Sequence, residues 1–278
     1  MKYMSTDGPV DCRMEKEPYS LLLDEMRRYG SMAVAFSGGV DSTLVARAAA
    51  DLPGVDVLLV TVQTEFQPNR EIRRAVYMAE KLGLPHRVLK ADLSERPDIL
   101  ANPRDRCYWC KELLFSRIRE ESWQNGISAL VHGANRDDLS DVRPGMKAAQ
   151  ELGFRVPLAD CGMTKQMIRQ CSEKLGLETW NLPSGSCLAA RIPYGEPITI
   201  EKLSMIERAE EMIADMGFAN IRVRLKGMDA RIEVDRKDIE RFAQPAVRNR
   251  VTAYLKRSGF AHISLDLQGY RTGSLNEG

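Results

Sequence analysis

The chain of 278 residues carries 40 basic and 39 acidic side chains, so its formal net charge is +1. This balance excludes a protein that binds nucleic acid through overall charge, and the length allows two domains. No apolar run approaches a membrane span, and residues 1–16 lack the apolar core of a secretory leader. We therefore expect a cytoplasmic protein without a membrane partner. Its six cysteines then indicate metal binding or catalysis rather than a disulfide framework.

The predicted elements that follow this polar N-terminal arm alternate between buried strands and helices across residues 17–182. A helix ends at Gly30, and each short apolar run after it predicts a strand that is buried on both faces. Strict alternation of strand and helix predicts an α/β fold with a doubly wound parallel sheet, in which ligands bind beyond the carboxyl ends of the strands. The predicted strands are SMAVAF, VDVLLVTVQ, HRVLKAD, SALVHGAN and RVPLAD.

The amino-acid composition changes after residue 182. Residues 183–198 are rich in Gly, Pro and Ser, which is typical of a linker or an ordered active-site loop. Residues 199–278 predict a long helix, two strands, two further helices and a last strand, and so a smaller α+β domain. Between Phe218 and Ser258 there are eleven basic and five acidic residues. This excess indicates either a solvated helical surface or a basic surface for an anionic substrate.

A stretch with the sequence SGGVDS, from Ser37 to Ser42, connects the first buried strand to the next helix. Its glycines allow a tight turn and let an anion approach the backbone amides, and the helix N-terminus adds partial positive charge. The spacing and lysine of a Walker loop are absent, as is the GxGxxG dinucleotide pattern. The stretch therefore predicts a phosphate-binding loop rather than a plain strand-to-helix turn.

A second polar stretch, HGANRDDLSD, follows the fourth predicted strand and reaches the same edge of the sheet. Its side chains can serve a nucleotide or a metal ion, although an Asx-rich turn has the same composition. Because the phosphate loop lies on the same edge, we favour a ligand site. The candidate residues are Asn135, Asp137, Asp138 and Asp141.

Three cysteines have sequence surroundings suited to chemistry. Cys107 and Cys110 form a C-x-x-C pair at the start of a predicted helix, where the pKa of a thiol is lowered. Cys187 lies in a Gly/Ser loop with Arg191 close in sequence. The pair alone fits a redox disulfide, half of a metal site or a sulfur-handling site, and no histidine has zinc-site spacing to it. We interpret the other cysteines as structural: Cys12, Cys161 and Cys171.

The SGGVDS loop resembles the pyrophosphate loop of the N-type ATP pyrophosphatase superfamily, also described as PP-loop or adenine nucleotide alpha hydrolase-like proteins. Members cleave ATP between the α and β phosphates and adenylate a carbonyl or carboxylate oxygen. The resemblance implies an ATP site with Mg²⁺ at Asp41, since Mg²⁺ prefers one or two carboxylates plus phosphate oxygens. The nucleotide-binding residues that follow from it are Ser37, Gly38, Gly39, Asp41 and Ser42, to which we add Asn135, Asp138 and Arg191.

Longer stretches narrow this resemblance. RCYWCKELLF, PSGSCLAARIPYGEPIT, RVRLKGMDARIEV and GYRTGSLNEG together resemble the LarE family, ATP-dependent sulfur transferases that build the nickel-pincer cofactor of lactate racemase. The resemblance implies that ATP adenylates a carboxylate of pyridinium-3,5-biscarboxylic acid mononucleotide, which then becomes a thiocarboxylate. It also implies a small-molecule nucleotide substrate, no nucleic-acid partner and a homo-oligomer.

The LarE resemblance implies two routes for the sulfur. Family members with one site cysteine sacrifice it, whereas members with three hold a [4Fe-4S] cluster whose open iron carries a sulfide. This chain has all three, Cys107, Cys110 and Cys187, and three thiolates leave one iron of such a cluster open. The chain therefore resembles the cluster-bearing branch, with Cys187 as a catalytic residue.

Further catalytic candidates come from the C-terminal region. Glu210, Arg222 and Arg224 match the acidic and basic residues that the family carries near the substrate phosphate and the cysteine. Arg222 and Arg224 alternate along a predicted strand and would face one side of it. Bidentate arginines suit phosphate and carboxylate groups. Solvent-exposed strand arginines are the alternative interpretation.

Three other functions stay open at this point. A PP-loop tRNA thiolase also carries a [4Fe-4S] cluster, but no tRNA-binding extension or strongly basic tail is evident. An ammonia-dependent amide synthetase would use the same ATP loop without needing Cys187. A redox or nucleotide sensor would form a reversible disulfide between Cys107 and Cys110 and would not cleave ATP to AMP.

Overall fold

The computed structural model describes residues 17–139, 144–183 and 185–271. The predicted N-terminal arm and the candidate residue Asp141 lie outside these ranges. Among the described helices, none is long and apolar enough to cross a membrane.

The larger sheet has four parallel strands within the described residues, in the order β3-β2-β1-β4. The strands are β1 (Ser31–Ala35), β2 (Asp56–Gln63), β3 (His86–Lys90) and β4 (Ala129–His132). Ala35 at the end of β1 pairs with Val60 on one side and His132 on the other, so the carboxyl ends of three strands lie at one edge. The two central strands are almost continuously apolar because helices cover both faces of the sheet.

Helices pack on both faces of this sheet. Leu44 and Ile168 belong to the core on one face, and Phe115 and Ala149 belong to the core on the other. The predicted doubly wound α/β fold is therefore confirmed. The helices of this region are α1 (Pro18–Arg27), α2 (Val40–Ala50), α3 (Asn69–Leu82), α4 (Pro97–Leu100), α5 (Arg106–Gln124), α6 (Arg136–Leu139), α7 (Pro144–Glu151), α8 (Pro157–Asp160) and α9 (Lys165–Lys174).

The prediction of a fifth strand at RVPLAD is wrong. Arg155 makes a single parallel bridge with Val131, and the chain then turns into the short helix α8. Pro157 occupies the first position of α8, where its fixed backbone angle suits a helix and its missing N–H would remove a ladder hydrogen bond from a strand.

The smaller α+β unit is confirmed by a second sheet with the order β5-β6-β7. Strands β5 and β6 pair antiparallel and β6 and β7 pair parallel. Its core also contains Phe66 and Ile99 from the first region and Leu188 from the connecting loop, so the two regions share buried apolar surface. The elements are α10 (Ile200–Ala214), β5 (Ile221–Lys226), β6 (Asp229–Val234), α11 (Ile239–Ala243), α12 (Pro245–Arg257) and β7 (His262–Leu265).

The buried imidazole of His132 makes a pH-dependent contribution to stability. It lies beside the rings of Phe115 and Phe154. Burial, together with the lesser effect of the positive charge of Lys111, lowers the pKa of His132 from 6.5 to about 4. Between these two pH values the unfolded chain binds a proton that the folded chain does not bind, so stability falls as the pH drops through this window.

We expect this histidine to contribute about 3 kcal/mol to the pH dependence of unfolding. The measurement is urea unfolding at several pH values between 6.5 and 4. His132→Phe should flatten the fall in stability, leaving the smaller dependence of His86, whose pKa is also lowered by burial. The exposed His262 provides the control, since His262→Ala should leave the curve unchanged. An unchanged slope in His132→Phe would contradict the assignment.

Candidate active site

The SGGVDS stretch, residues 37–42 and hereafter the glycine loop, lies at the carboxyl end of β1 and leads into helix α2. Gly38 has φ +63°, the left-handed conformation that glycine adopts without strain. The hydroxyls of Ser37 and Ser42 lie 3.0 Å apart, and the Gly39 amide donates to Ser37 Oγ at 3.3 Å. No side chain caps the N-terminus of α2. Its first amides therefore point outward without a capping acceptor, as in an anion-binding helix N-terminus.

Two close backbone contacts fix this loop. A Cβ added at Gly38 would lie 2.7 Å from Cα of Ala75 in α3, and one added at Gly133 would lie 2.9 Å from the Ser42 nitrogen. The Arg74 guanidinium donates to the Gly38 carbonyl at 2.9 Å. The loop therefore packs closely between α3 and the segment after β4, and the Arg74 guanidinium binds its Gly38 carbonyl.

Asp41 on the loop meets the second polar stretch. Asn135 Nδ2 donates to Asp41 Oδ1 at 3.3 Å, and the Asn135 backbone N–H donates to Asp138 Oδ2 at 3.1 Å. Lys165 forms an ion pair with Asp41 Oδ2, and its backbone N–H donates to Asp137 at 2.8 Å. The structure therefore brings together the two stretches that the sequence placed at one edge.

Sequence reasoning missed Lys165. The signal was present, since Lys165 is the first residue of α9, directly after the N-cap Thr164. A cation is electrostatically disfavoured at a helix N-terminus, so a lysine there indicates an anionic neighbour. The identity of that neighbour was not readable, because Asp41 is far away along the chain.

A narrow cavity of about 110 Å³ adjoins the glycine loop between the sheet and α5. Ser37 of the glycine loop lines it, and Glu71 and Lys111 add charged groups to the lining. The remaining surface is largely apolar, which suits the flat face of a base. The apolar lining includes Phe36, Ile72, Leu114 and Phe115.

The three candidate thiols lie in one neighbourhood. Burial is the largest of the causes that raise the pKa of Cys110 to about 12, and the nearby thiols of Cys187 and Cys107 contribute to the rise while Lys111 opposes it. Burial also raises the pKa of Tyr194, to which Cys107 and Cys187 again contribute. The loop thiol is therefore next to the C-x-x-C pair, although it is far away in sequence.

The prediction that a helix start lowers the thiol pKa is wrong for Cys110. Helix α5 begins at Arg106, so Cys110 lies beyond the first turn, where the helix dipole acts weakly. Its side chain packs against apolar residues of two cores. Desolvation of the thiolate outweighs the electrostatic help of the helix end.

A buried ion pair holds the Cys187 loop. Arg191 and Glu210 are each 1% exposed and form two hydrogen bonds at 2.9 and 3.0 Å. Arg191 also donates to the carbonyls of Ser186 and Cys187 at 2.8 and 2.9 Å. Glu210 accepts the backbone N–H of Val223 at 3.0 Å. Glu210 thus acts on Cys187 through Arg191 rather than by contact with the thiol.

The two strand arginines are not solvent-exposed, so that alternative interpretation is wrong. Arg222 is 5% exposed and lies 4.8 Å from the Tyr270 ring centroid. Burial lowers the pKa of Arg222, and the charges of Arg191 and Arg224 lower it further. Arg224 pairs with Glu233 at 2.9 Å and donates to the Ala190 carbonyl at 2.6 Å. Three arginines thus gather behind the Cys187 loop.

Within the described parts of the chain, no three His, Cys, Asp or Glu side chains converge as a single bound metal ion requires. The thiols are neighbours without a common centre.

A parallel sheet, a glycine loop at its carboxyl edge and an apolar cavity beside that loop form a nucleotide-binding α/β domain, as the resemblance of the SGGVDS loop to PP-loop ATP pyrophosphatases implies. The asparagine synthase family model matches residues 24–117, from α1 through the glycine loop and into α5. This match covers the glycine loop and the C-x-x-C pair, and it ends before Asn135, Lys165 and Cys187.

Comparison with curated proteins extends over most of the chain. An uncharacterised protein of Synechocystis is 38% identical over 87% of this chain and 91% of its own length. The pyridinium-3,5-bisthiocarboxylic acid mononucleotide synthase of Lactiplantibacillus plantarum is 34% identical over 88% of this chain and 89% of its own length. The tRNA-specific 2-thiouridylase of Rickettsia rickettsii is 26% identical over 56% of this chain and 53% of its own length. The chain belongs to the LarE family of ATP-dependent sulfur transferases.

Proposed function

We propose that this protein uses ATP to adenylate a carboxylate of pyridinium-3,5-biscarboxylic acid mononucleotide and converts that carboxylate to a thiocarboxylate. ATP is cleaved to AMP and pyrophosphate. The observation that carries the proposal is that the nucleotide cavity and the thiols adjoin. Lys111 lines the cavity and its charge acts on Cys110. Glu71 lines the same cavity, and its carboxylate would lie 2.7 Å from a Cβ at Gly185 in the Cys187 loop.

The glycine loop would hold the pyrophosphate part of ATP. Ser37, Gly38, Gly39 and Ser42 offer hydroxyls and amides at the start of α2. Asp41, with Asn135 and Asp138 beside it, would bind Mg²⁺. Lys165 now neutralises Asp41, and it would neutralise phosphate oxygens once Mg²⁺ takes that carboxylate. The loop has no Walker lysine, so Lys165 supplies a cation from another helix.

Cys107, Cys110 and Cys187 would hold a [4Fe-4S] cluster, which supplies the sulfur when bound. The donor set suits the group, because iron–sulfur clusters are held by thiolates and three of them leave one iron open. A cubane cluster is ligated at separate iron atoms, so its cysteines need not converge on one point. Arg222 and Arg224 would attract the anionic mononucleotide toward the Cys187 loop, and Arg191, paired with Glu210, would hold that loop in place.

The test is anaerobic reconstitution with iron and sulfide, followed by turnover with ATP, Mg²⁺ and the mononucleotide. Cys187→Ala should retain pyrophosphate release on adenylation but lose thiocarboxylate formation by at least about 100-fold, since only the later step uses the thiol. Cys171→Ala is the matched control, because Cys171 packs in the core on α9 and its loss should leave product formation unchanged.

Other outcomes would reject this function. Thiolated tRNA without a thiocarboxylate product would favour the tRNA thiolase, and amide formation from ammonia by Cys187→Ala would favour the amide synthetase. No cleavage of ATP to AMP, together with a reversible Cys107–Cys110 disulfide, would favour a sensor. Conversion of wild-type Cys187 to dehydroalanine during turnover would keep the reaction and replace the cluster with sacrificial sulfur transfer.

A further inference from the structure

Arg106, the first residue of α5, is a buried arginine whose described partners include no carboxylate. It is 2% exposed, yet among residues 17–139, 144–183 and 185–271 no Asp or Glu lies within ion-pairing distance of its guanidinium. The buried Arg191 and Arg224, by contrast, have Glu210 and Glu233. A guanidinium remains charged in proteins. A buried charge without a counter-ion is costly, so this site is electrostatically incomplete.

The surroundings of Arg106 indicate where the missing negative charge belongs. Its guanidinium donates to Asn102 Oδ1 and, at 3.2 Å, to the Ala189 carbonyl, which are both neutral. It lies 3.9 Å from Cys107 Sγ and 5.2 Å from the Tyr194 ring centroid. Tyr194 presents its aromatic ring to the guanidinium, and a ring carries no counter-charge. Among these partners, Cys107 is the one that becomes an anion when it ligates a metal.

Arg106 also links the two segments that carry the thiols. Its partner Asn102 has φ +59°, a left-handed conformation that is uncommon outside glycine. Asn102 Nδ2 donates to the carbonyls of Pro193 and Glu196 at 2.7 and 3.0 Å. Arg106 itself reaches Ala189, two residues after Cys187. The pair therefore ties the start of α5 to the loop that contains Cys187.

We infer that Arg106 is the counter-ion of an anionic thiolate site and, with Asn102, a positioning residue for the Cys187 loop. Three thiolates outweigh the charge of a divalent cation, and a cluster held by three thiolates is likewise anionic. Thiolates that ligate a metal group would supply the negative charge that the neutral partners of Arg106 do not supply. The identity of the anionic group as [4Fe-4S] rests on the proposed function.

The inference is tested with Arg106→Met, which removes the charge, and Arg106→Lys, which keeps it. Each chain is reconstituted anaerobically with ferrous iron and sulfide. The Met variant should lose iron to a chelator about 10- to 100-fold faster than wild type, a typical effect of groups that support metal ligands. Its cluster should be reduced at a more negative potential, because a nearby cation favours the added electron. The Lys variant should keep the wild-type potential.

Thermal unfolding of the iron-free chains distinguishes an electrostatic role of Arg106 from a purely structural one. The Met variant should melt no lower than wild type, because it relieves a buried charge while losing two hydrogen bonds. The exposed Arg104 gives the control, and Arg104→Met should match wild type in iron retention and melting. The inference would be overturned if the Lys and Met variants lost iron at the same rate. It would also be overturned if the Met variant lowered the melting temperature of the iron-free chain and left the reduction potential of the cluster unchanged, because Arg106 would then have only a structural role.

Two further outcomes separate this inference from the proposed function. A Met variant with wild-type iron retention and potential, or a wild-type chain that assembles no cluster, would overturn the counter-ion assignment. Pyrophosphate release from ATP on the same preparations reports the adenylation step independently. If the chain cleaves ATP but assembles no cluster, only the inference is contradicted. If the cluster assembles but ATP is not cleaved, only the proposed function is contradicted.

Discussion

Replacement of Glu210 by glutamine is expected to lower the free energy of unfolding by about 3–5 kcal/mol, the range for breaking one partner out of a buried ion pair. The cause is Arg191, which is 1% exposed and would keep its charge without a counter-ion. Glutamine preserves the shape and can still accept the Val223 N–H, so the loss reports charge rather than volume. Urea unfolding at neutral pH measures it.

The neighbouring Glu211 provides a matched control. Glu211 is partly exposed and faces Arg73 at 3.5 Å, so Glu211→Gln should change stability by less than about 0.5 kcal/mol. The double variant Arg191→Met/Glu210→Leu should recover much of the loss, because it also removes the buried charge that Glu210→Gln leaves without its partner. A loss below about 1 kcal/mol in Glu210→Gln would mean that water or another group compensates Arg191.

The same variant should separate the two halves of the reaction. The glycine loop does not contact Glu210, so ATP cleavage should persist at temperatures where the variant is folded. Arg191, once released from Glu210, no longer fixes the carbonyls of Ser186 and Cys187, so thiocarboxylate formation should fall further than adenylation. An equal fall in both steps would assign Glu210 to overall folding alone.

The phosphate loop was predictable because its signal is local. Strand, glycines and helix start are contiguous, and the apolar run before Ser37 gives both the strand and its direction. The neighbouring polar stretch could be placed near it because parallel strands end at one edge of a sheet. That rule locates Asn135 to within the site but does not reveal its hydrogen bond to Asp41.

The remaining site residues depend on contacts that sequence spacing does not encode. Lys165 reaches Asp41, and Arg224 reaches the Ala190 carbonyl, only after distant segments have packed. Arg106 precedes Cys107 directly in the sequence, but its burial is visible only in three dimensions. The raised pKa of Cys110 could not be predicted from the sequence for the same reason. The start of the helix can be read from nearby residues, but the desolvation that raises the pKa comes from tertiary packing.

The second large effect is expected from Gly38→Ala in the glycine loop. Alanine at φ +63° costs about 1–2 kcal/mol in backbone strain, and its Cβ would lie 2.7 Å from Cα of Ala75. The loop cannot stay where it is, because the obstructing atom belongs to the backbone of α3. A displacement of about 1 Å in a catalytic geometry can cost about 100-fold in rate. Pyrophosphate release should therefore fall by about 100-fold.

Gly30 offers the control that isolates the steric contact. Its φ of +71° matches that of Gly38, but a Cβ added there meets nothing within 4 Å. Gly30→Ala should therefore share the backbone strain, lose about 1–2 kcal/mol of stability, and keep wild-type pyrophosphate release. If Gly38→Ala released pyrophosphate within about threefold of wild type, the amides of this loop would not be the groups that hold the phosphates. The comparison thus ties ATP cleavage to the contact between the loop and α3, because strain alone is common to both variants.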